Sequence, residues 1–432
     1  MRHFLRRASF YLAFGSAVSI LFSIAVSQSL LALALAALLI SGRTLRFPPL
    51  RTPLAFFFLI TLAAVVASGH PQAGLPQIRK FYVFAILLVI YSTFETVGQV
   101  QTLILSWAGI GFLSALRGLV QFLHRRQEAN TYEFLVDGRI TGFMSHWMTF
   151  GGEEMVVLLM LAALVLFSGR RAVKLAGWPV LCGLCAAVTL GMTRSIFLLG
   201  VPAGLTYLLW RRRRILIFAA VAVLLAAAIL APHVVRERAI SAFRPHADLE
   251  SSSHRAVCRA VGWEMVKAHP WLGLGPEQIA PQFDRYVPAN IPRPLPRGWY
   301  GHLHNIYLQY AAERGVFGLL AILWLIGKAA IDFLKYLRRP TLDPEVKAIL
   351  HGAIAVTIAI LAEGFFEYNL GDSEVLTMFL SVVACGYVAV RCTRRTTPRT
   401  VEKCASSPSA SWAAVRTNSK PIVTADSRRS EA

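Results

Sequence analysis

The chain has 432 residues, of which 56% are hydrophobic and only 16% carry a charge. About a quarter of the residues of a soluble globular protein are charged, so this composition excludes an ordinary soluble domain and indicates a lipid environment. The formal net charge is +21, but the basic residues occur in short runs between long apolar segments. That arrangement is typical of the topological anchors of a membrane protein, and it argues against nucleic acid as a partner.

Apolar segments that match the thickness of a bilayer recur along the chain, since about 20 apolar residues cross the hydrocarbon core. The first, 10–40, has the length of a helical hairpin, whose bend we predict near residues 27–28. The other predicted spans are 53–68, 80–94, 100–122, 152–168, 173–191, 195–210, 214–231, 305–334, 347–366 and 374–391. The pattern therefore predicts an all-α polytopic membrane protein with about 12 transmembrane helices.

The basic residues set the expected orientation, because cytoplasmic loops carry an excess of Lys and Arg. With the N-terminus in the cytoplasm, the clusters at 2–7, 43–51, 170–174, 211–214 and 335–339 all lie on the cytoplasmic side. An even number of spans places the C-terminus there too. The loops expected on the outer side are 69–79, 123–151, 191–194, 232–304 and 368–374.

Four regions follow from this interpretation. They are 1–231 with nine helices, an outer loop at 232–304, 305–395 with the last three helices, and 396–432, a polar tail expected to be disordered in the cytoplasm. The outer loop is long for a structureless connection, so we expect short helices in it. Apolar spacing predicts one over 253–269, capped by Ser251 to Ser253 and ended by Pro270. The four prolines within 287–296 predict an extended segment.

Polar residues at the outer ends of the spans are the candidates for chemistry. His302, His304 and Asn305 end the long loop where a span begins, and a histidine there suits a general base. Arg194 lies between two apolar segments, where a charge either marks a site or snorkels to headgroups.

Arg255 and Arg259 share a face of the predicted loop helix. Paired guanidinium groups suit a diphosphate, although a solvated helix face is an equal alternative for either one. Glu363 and Glu367 lie on one helical face at the next outer end, where one of them can pair with an arginine or orient a histidine. No third ligand stands at metal-site spacing from His302 and His304, so we expect no metal and no other cofactor.

His304 and Asn305 are followed after nine residues by Gly315 and, after two more, by Gly318. This pattern resembles the signature of the bacterial O-antigen ligases. The segment from Arg259 through 269–276 is similar to the outer loop of the wider superfamily of multi-span glycosyltransferases, which includes the O-antigen polymerases.

The resemblance implies metal-independent, inverting transfer of O-antigen glycan from undecaprenyl diphosphate to lipid A–core, on the periplasmic face of the bacterial inner membrane. It implies His304 as the base that deprotonates the acceptor hydroxyl. Arg194, with Arg259 or Arg255, would bind the diphosphate, and Asn305, His302 and Glu367 would support them. The alternatives are an O-antigen polymerase and, in another class, a transporter or flippase of an anionic lipid-linked glycan.

Overall fold

The computed structural model describes residues 2–129, 131–215, 217, 231–241 and 249–396. Residues up to Thr393 form one compact unit, and the chain beyond it a second, of which only 394–396 are described. Almost all of the predicted span 214–231 and of the predicted tail 396–432 lies outside the described residues.

Helices account for all of the regular secondary structure in the described ranges. In chain order they are α1 (Arg2–Ser19), α2 (Ile24–Ile40), α3 (Arg51–Ala67), α4 (Pro71–Lys80), α5 (Ala85–Thr93), α6 (Val97–Glu128), α7 (Tyr132–Asp137), α8 (Trp147–Phe167), α9 (Arg171–Leu190), α10 (Val201–Arg212), α11 (His233–Ile240), α12 (Leu249–Ala268), α13 (Ile279–Gln282), α14 (Ile306–Leu337), α15 (Pro344–Glu363) and α16 (Ser373–Thr396). Single 3-10 turns at Phe81–Phe84, Phe283–Tyr286 and Asn369–Gly371 and a π-helical turn at Ser195–Gly200 link some of them.

Seven stretches of the described chain are long and apolar enough to cross a membrane. They are Pro71–Thr93, Val97–Glu128, Trp147–Phe167, Arg171–Leu190, Ile306–Leu337, Pro344–Glu363 and Ser373–Arg394, and the apolar helices Ile24–Ile40 and Arg51–Ala67 are shorter. The predicted polytopic helical architecture is confirmed, whereas the count of about 12 spans stays a prediction.

Three local predictions were wrong. The first hairpin turns at 20–23, before the predicted bend, because the Ser23 side chain caps α2 and the hydroxyl groups of Ser16 and Ser27 donate to each other's backbone carbonyl oxygens across the pair. The predicted loop 69–79 is mostly helix α4, which starts with Pro71 in its first turn. The loop helix begins at Leu249, so Ser251 to Ser253 lie inside it and do not cap it.

The core of the bundle is α8, whose apolar window is 89% buried. It packs on α6, α9, α10 and α15. This explains why its sequence shows no amphipathic stripe: a helix surrounded by other helices has no solvent-facing side. It buries two acidic residues, Glu153 and Glu154, near its beginning.

At one end of the bundle, the basic residues Arg43 and Arg391 lie against the connection between α5 and α6. Arg43 pairs with Glu95 at 2.5 Å between Nη2 and Oε1, and Arg391 donates to the carbonyl oxygens of Tyr91 and Phe94. That connection has no basic residue of its own, but it contacts arginines of two other segments that are predicted to be cytoplasmic. The three segments therefore lie at the same end of the bundle, and the side of the membrane that this end faces stays a prediction.

Helix α14 is kinked at Gly315, which has φ of 66° and ψ of −174°, a conformation open only to glycine. A Cβ atom there would overlap the carbonyl group of Trp271. The backbone groups released by the kink are satisfied by the loop that precedes α13: Val316 N donates to Pro270 O at 2.8 Å, and Leu274 N donates to Ala312 O at 2.8 Å. Gly315 therefore fixes the outer loop to a membrane-spanning helix.

We expect Gly315→Ala to lower the free energy of unfolding by about 3 kcal/mol or more, because it adds both backbone strain and a steric overlap. The matched control is Gly327→Ala in the same helix, where nothing lies within 4 Å of the added Cβ. That change should be neutral or stabilise the helix by up to about 1 kcal/mol. Thermal unfolding in detergent measures both, and equal effects would contradict the role of the kink.

Candidate active site

The five loops predicted to lie on the outer side converge at one end of the bundle. Four of them line a single cavity of about 710 Å³, the central cavity, which includes Gln77, Arg139, His304, Glu367 and Asp372. The fifth, at 191–194, joins its wall because Arg238, another lining residue, donates to the Met192 carbonyl oxygen at 3.3 Å. A cavity of this size with several convergent polar groups is typical of a ligand site.

His304 is held in the wall of this cavity by the start of α14. The Asn305 side chain accepts from Leu308 N at 2.8 Å as the N-cap and donates to the Phe365 carbonyl oxygen at 2.9 Å. Asn305 thus ties the beginning of α14 to the segment that follows α15. Its role is to position the residue before it.

The backbone of His304 is in the left-handed region, with φ of 49°. Such a conformation in a residue other than glycine costs of order 1–3 kcal/mol and is often found at active sites. The strain is offset in part because His304 N donates to Nδ1 of His302 at 3.2 Å. The local fold therefore aims the His304 ring in a direction that a relaxed backbone would not give.

Glu367 is fully buried and bridges the two other functional side chains. One of its oxygens accepts from Nδ1 of His304 at 3.0 Å, and the other accepts from Nη2 of Arg255 at 2.8 Å. Burial alone would raise the pKa of Glu367, but the Arg255 guanidinium and then His304 hold it at about 2. The carboxylate is therefore ionised at neutral pH and keeps the proton of His304 on Nδ1, which leaves Nε2 able to accept a proton.

Two more histidines face His304 in the cavity. Its ring centroid lies 4.1 Å from that of His302 and 5.2 Å from that of His254. Burial, and then the proximity of His304, lower the pKa of His302 to about 4 and that of His254 to about 4. Both are neutral at pH 7, so the fixed charges of this cluster are those of Arg255 and Glu367.

The structure separates the three arginines predicted to bind a diphosphate. Arg255 lines the central cavity with its side chain 16% exposed. Arg259 lies one turn further along α12, is exposed, and is not among the described residues that line the cavity. Arg194 is half-buried and donates to Ser241 Oγ at 3.2 Å, and it does not line the cavity either.

Three arginines that the sequence analysis did not single out also line the cavity: Arg139, Arg238 and Arg297. Arg238 is 3% exposed and donates to Tyr132 Oη at 3.1 Å. Arg139 stacks on the Trp147 ring at 3.4 Å from the centroid. A signal was present for Arg139, which stands shortly before a histidine at the start of a span, but nothing in the pattern distinguished Arg238 from its neighbours in the long loop.

Within the described part of the chain, His302, His304 and Glu367 could together hold a metal ion, since one ligand atom of each lies within 4.8 Å of the others. The sequence analysis found no third ligand because Glu367 is separated from His304 by two membrane helices. Arg255 occupies the second oxygen of the same carboxylate. Its permanent positive charge opposes a divalent cation at this place, so the donor set fits an ion pair better than a metal.

The fold and the cavity define an integral membrane protein with a histidine–carboxylate–arginine site at one end of a helical bundle. Residues 156–323 match the family model described as O-Antigen ligase. This match covers less than half of the chain and supports a relationship to the O-antigen ligase/polymerase superfamily, whose members are membrane glycosyltransferases that act on lipid-linked glycans. The match contains Arg194, Arg255 and His304 but ends before Glu367. No curated protein matches the chain.

Proposed function

We propose that this protein is an O-antigen ligase, which transfers O-antigen glycan from undecaprenyl diphosphate to lipid A–core on the periplasmic face of the bacterial inner membrane. The observation that carries the proposal is the chain of contacts from His304 to Glu367 to Arg255 in the wall of the central cavity. One oxygen of the Glu367 carboxylate contacts a proton acceptor, His304, and the other contacts a permanent positive charge, Arg255. Glycosyl transfer from a diphosphate needs these two functions.

In the proposed reaction, Nε2 of His304 takes the proton of the acceptor hydroxyl while the hydroxyl oxygen attacks the anomeric carbon of the donor glycan. The bond from that carbon to the diphosphate breaks, and the diphosphate leaves with the electron pair. Attack from the face opposite the leaving group inverts the anomeric centre. No metal is needed if arginines neutralise the leaving group.

Arg255 is our choice for the diphosphate over Arg259, because only the first of them lines the cavity. The buried Arg238 is a second candidate, and its contacts with Met192 and Tyr132 hold it in a fixed place. Arg194 lies on the segment that Arg238 contacts. Its proposed role is therefore to support the wall of the central cavity and not to bind the diphosphate itself.

Ligase is preferred to polymerase because His304, Asn305, Gly315 and Gly318 keep the spacing of the ligase signature. The cavity is lined by four arginines, Arg139, Arg238, Arg255 and Arg297, and by five acidic residues, Asp137, Glu277, Glu313, Glu367 and Asp372. The preference therefore rests on the signature and not on the charge of the cavity. A transporter or flippase is disfavoured, because the polar residues of the site converge at one end of the bundle, which suits chemistry at one face better than alternating access.

The test is a reconstituted assay in a metal-free buffer that contains a chelator, with undecaprenyl diphosphate-linked glycan as donor and purified lipid A–core as acceptor. We expect glycan on lipid A–core, seen as a ladder by gel electrophoresis, and free undecaprenyl diphosphate in equal amount. Longer chains on the lipid carrier without any product on lipid A–core would make the protein a polymerase. Movement of the intact donor from one leaflet of a vesicle membrane to the other, without release of diphosphate, would make it a flippase.

A further inference from the structure

A second cavity of about 590 Å³ opens between the beginning of α4 and the outer loop. It is lined by His70 and Ala73 on one side and by His269, Gln282 and Tyr286 on the other. None of the described residues that line it is acidic. It takes no part in the proton transfer or the diphosphate binding proposed above.

The floor of this second cavity is rigid. Gly273, with φ of 70°, lies on the backbone of α14 so closely that a Cβ atom would overlap Glu313 and Arg314. The next residue, Leu274, donates its N–H to α14 at 2.8 Å. The loop 271–276 therefore forms a pre-built surface.

One hydrogen-bonded pair separates the second cavity from the central one. Gln77 of α4 donates to Glu277 of the outer loop at 2.5 Å, and both line the central cavity. Ala73, one turn earlier, and Gln278, the next residue, line the second. Arg314 braces the pair from below by donating to Gln77 Oε1 at 3.0 Å. A ligand that extends out of the central cavity past the pair of Gln77 and Glu277 would enter the second cavity.

The second cavity has the chemistry of a carbohydrate site. Gln282 and His70 offer hydrogen-bonding groups, and Arg285 offers a charged donor. Tyr286 offers an aromatic ring held by a hydrogen bond of 3.0 Å between its Oη and Nε2 of His269. Sugars present hydroxyl groups for the first and apolar C–H faces for the ring. The central cavity has the volume of a site for a drug-sized ligand, so an oligosaccharide must continue beyond it.

We propose that the second cavity is a subsite for an oligosaccharide, which binds the sugar residues of a substrate that lie beyond the reacting ones. The proposal rests on the proposed function for the identity of the substrate. The oligosaccharide is either the distal part of the donor glycan or the core of the acceptor.

The test compares Tyr286→Ala, Tyr286→Phe and Arg293→Ala. The last is a control on the same loop: Arg293 pairs with Asp284 at 3.2 Å on the surface and lines neither cavity. Each variant is assayed with donors of one and of many repeat units, and with acceptors of full and truncated core. Tyr286→Ala should lower kcat/KM about two- to tenfold with the longer form of one substrate only. Tyr286→Phe should keep most of the parent's kcat/KM, because it retains the aromatic ring.

A loss that follows donor length identifies the donor glycan, and one that follows core length identifies the acceptor. An equal loss with every substrate, or no loss at all, overturns the subsite. Binding is also measured without turnover, by tryptophan fluorescence with free oligosaccharide released from the donor and with oligosaccharide released from lipid A–core. Binding that weakens in Tyr286→Ala supports the subsite even if the parent transfers no glycan, which separates the failure of this proposal from that of the proposed function.

Discussion

His304→Asn is expected to lower the rate of glycan transfer about 10²–10⁴-fold, the usual contribution of a general base. Asparagine is the sharper replacement than alanine, because it adopts the left-handed backbone that His304 has at φ of 49° at lower cost than most residues. The variant thus removes the proton acceptor without changing the backbone. The measurement is the initial rate of transfer to lipid A–core, together with the thermal unfolding midpoint.

His302→Asn is the matched control. It removes a histidine of the same cluster, whose Nδ1 accepts a hydrogen bond from His304 N, whereas the hydrogen bond to Glu367 is made by His304. We expect a loss of about tenfold or less, because only the orientation of His304 is affected. If His304→Asn folds normally and transfers glycan at the parent rate, His304 is not the base.

The membrane helices could be predicted because they are set by a single strong signal, the length of an apolar run. Helix α4 was missed because Gly74, Pro76 and several polar residues interrupt that signal, and its helical form depends on its packing against α3. The place of the first hairpin turn was wrong because serine is accepted inside α2, where Ser27 donates to the backbone of α1. Local composition does not contain such tertiary contacts.

The choice between Arg255 and Arg259 shows a different limit. The buried face of the loop helix is formed by Val257, Cys258, Val261 and Met265, whereas Trp263 is 57% exposed although it is apolar. Arg259 lies one turn before Trp263 on the exposed side of the helix, away from the cavity. The spacing of the two arginines in the sequence does not show which of them lies nearer the buried face.

Glu367 could be proposed from sequence as a partner of an arginine or a histidine, but not as the partner of both. Its contacts with Arg255 and His304 join residues that are 112 and 63 positions away. Sequence spacing relates residues within one helix, and it cannot relate a loop helix to the ends of two membrane helices. The site is therefore a product of the tertiary fold.

The second large effect is expected from Glu367→Gln, which should lower the free energy of unfolding by about 3–5 kcal/mol because it leaves Arg255 without its counter-ion in a buried place. Glutamine keeps the shape of the side chain, so packing is preserved. The double variant Arg255→Met with Glu367→Gln should recover at least half of the loss, since the unpaired charge is gone. Both variants should transfer glycan poorly, because His304 loses the group that orients it.

The control for the arginine is Arg259→Met on the same helix. Arg259 is exposed and lines no part of the central cavity, so its replacement should change stability by no more than about 0.5 kcal/mol and leave transfer near the parent rate. Chemical unfolding in detergent and the transfer assay measure the whole set. A loss with Arg259→Met as large as that with Arg255→Met would reverse the assignment of the two arginines.

The pH dependence of stability tests the same contact without relying on activity. The pKa of Glu367 is lowered from 4.5 to about 2, so its stabilising contribution is complete above pH 4.5 and is lost as the pH falls toward 2. The difference corresponds to about 3 kcal/mol, comparable with the expected effect of Glu367→Gln. That part of the acid sensitivity should be absent in Glu367→Gln and unchanged in Arg259→Met. Because the pKa of His302 and that of His254 are each held near 4, no change of transfer rate between pH 6 and 8 can be assigned to Glu367 or to these two histidines.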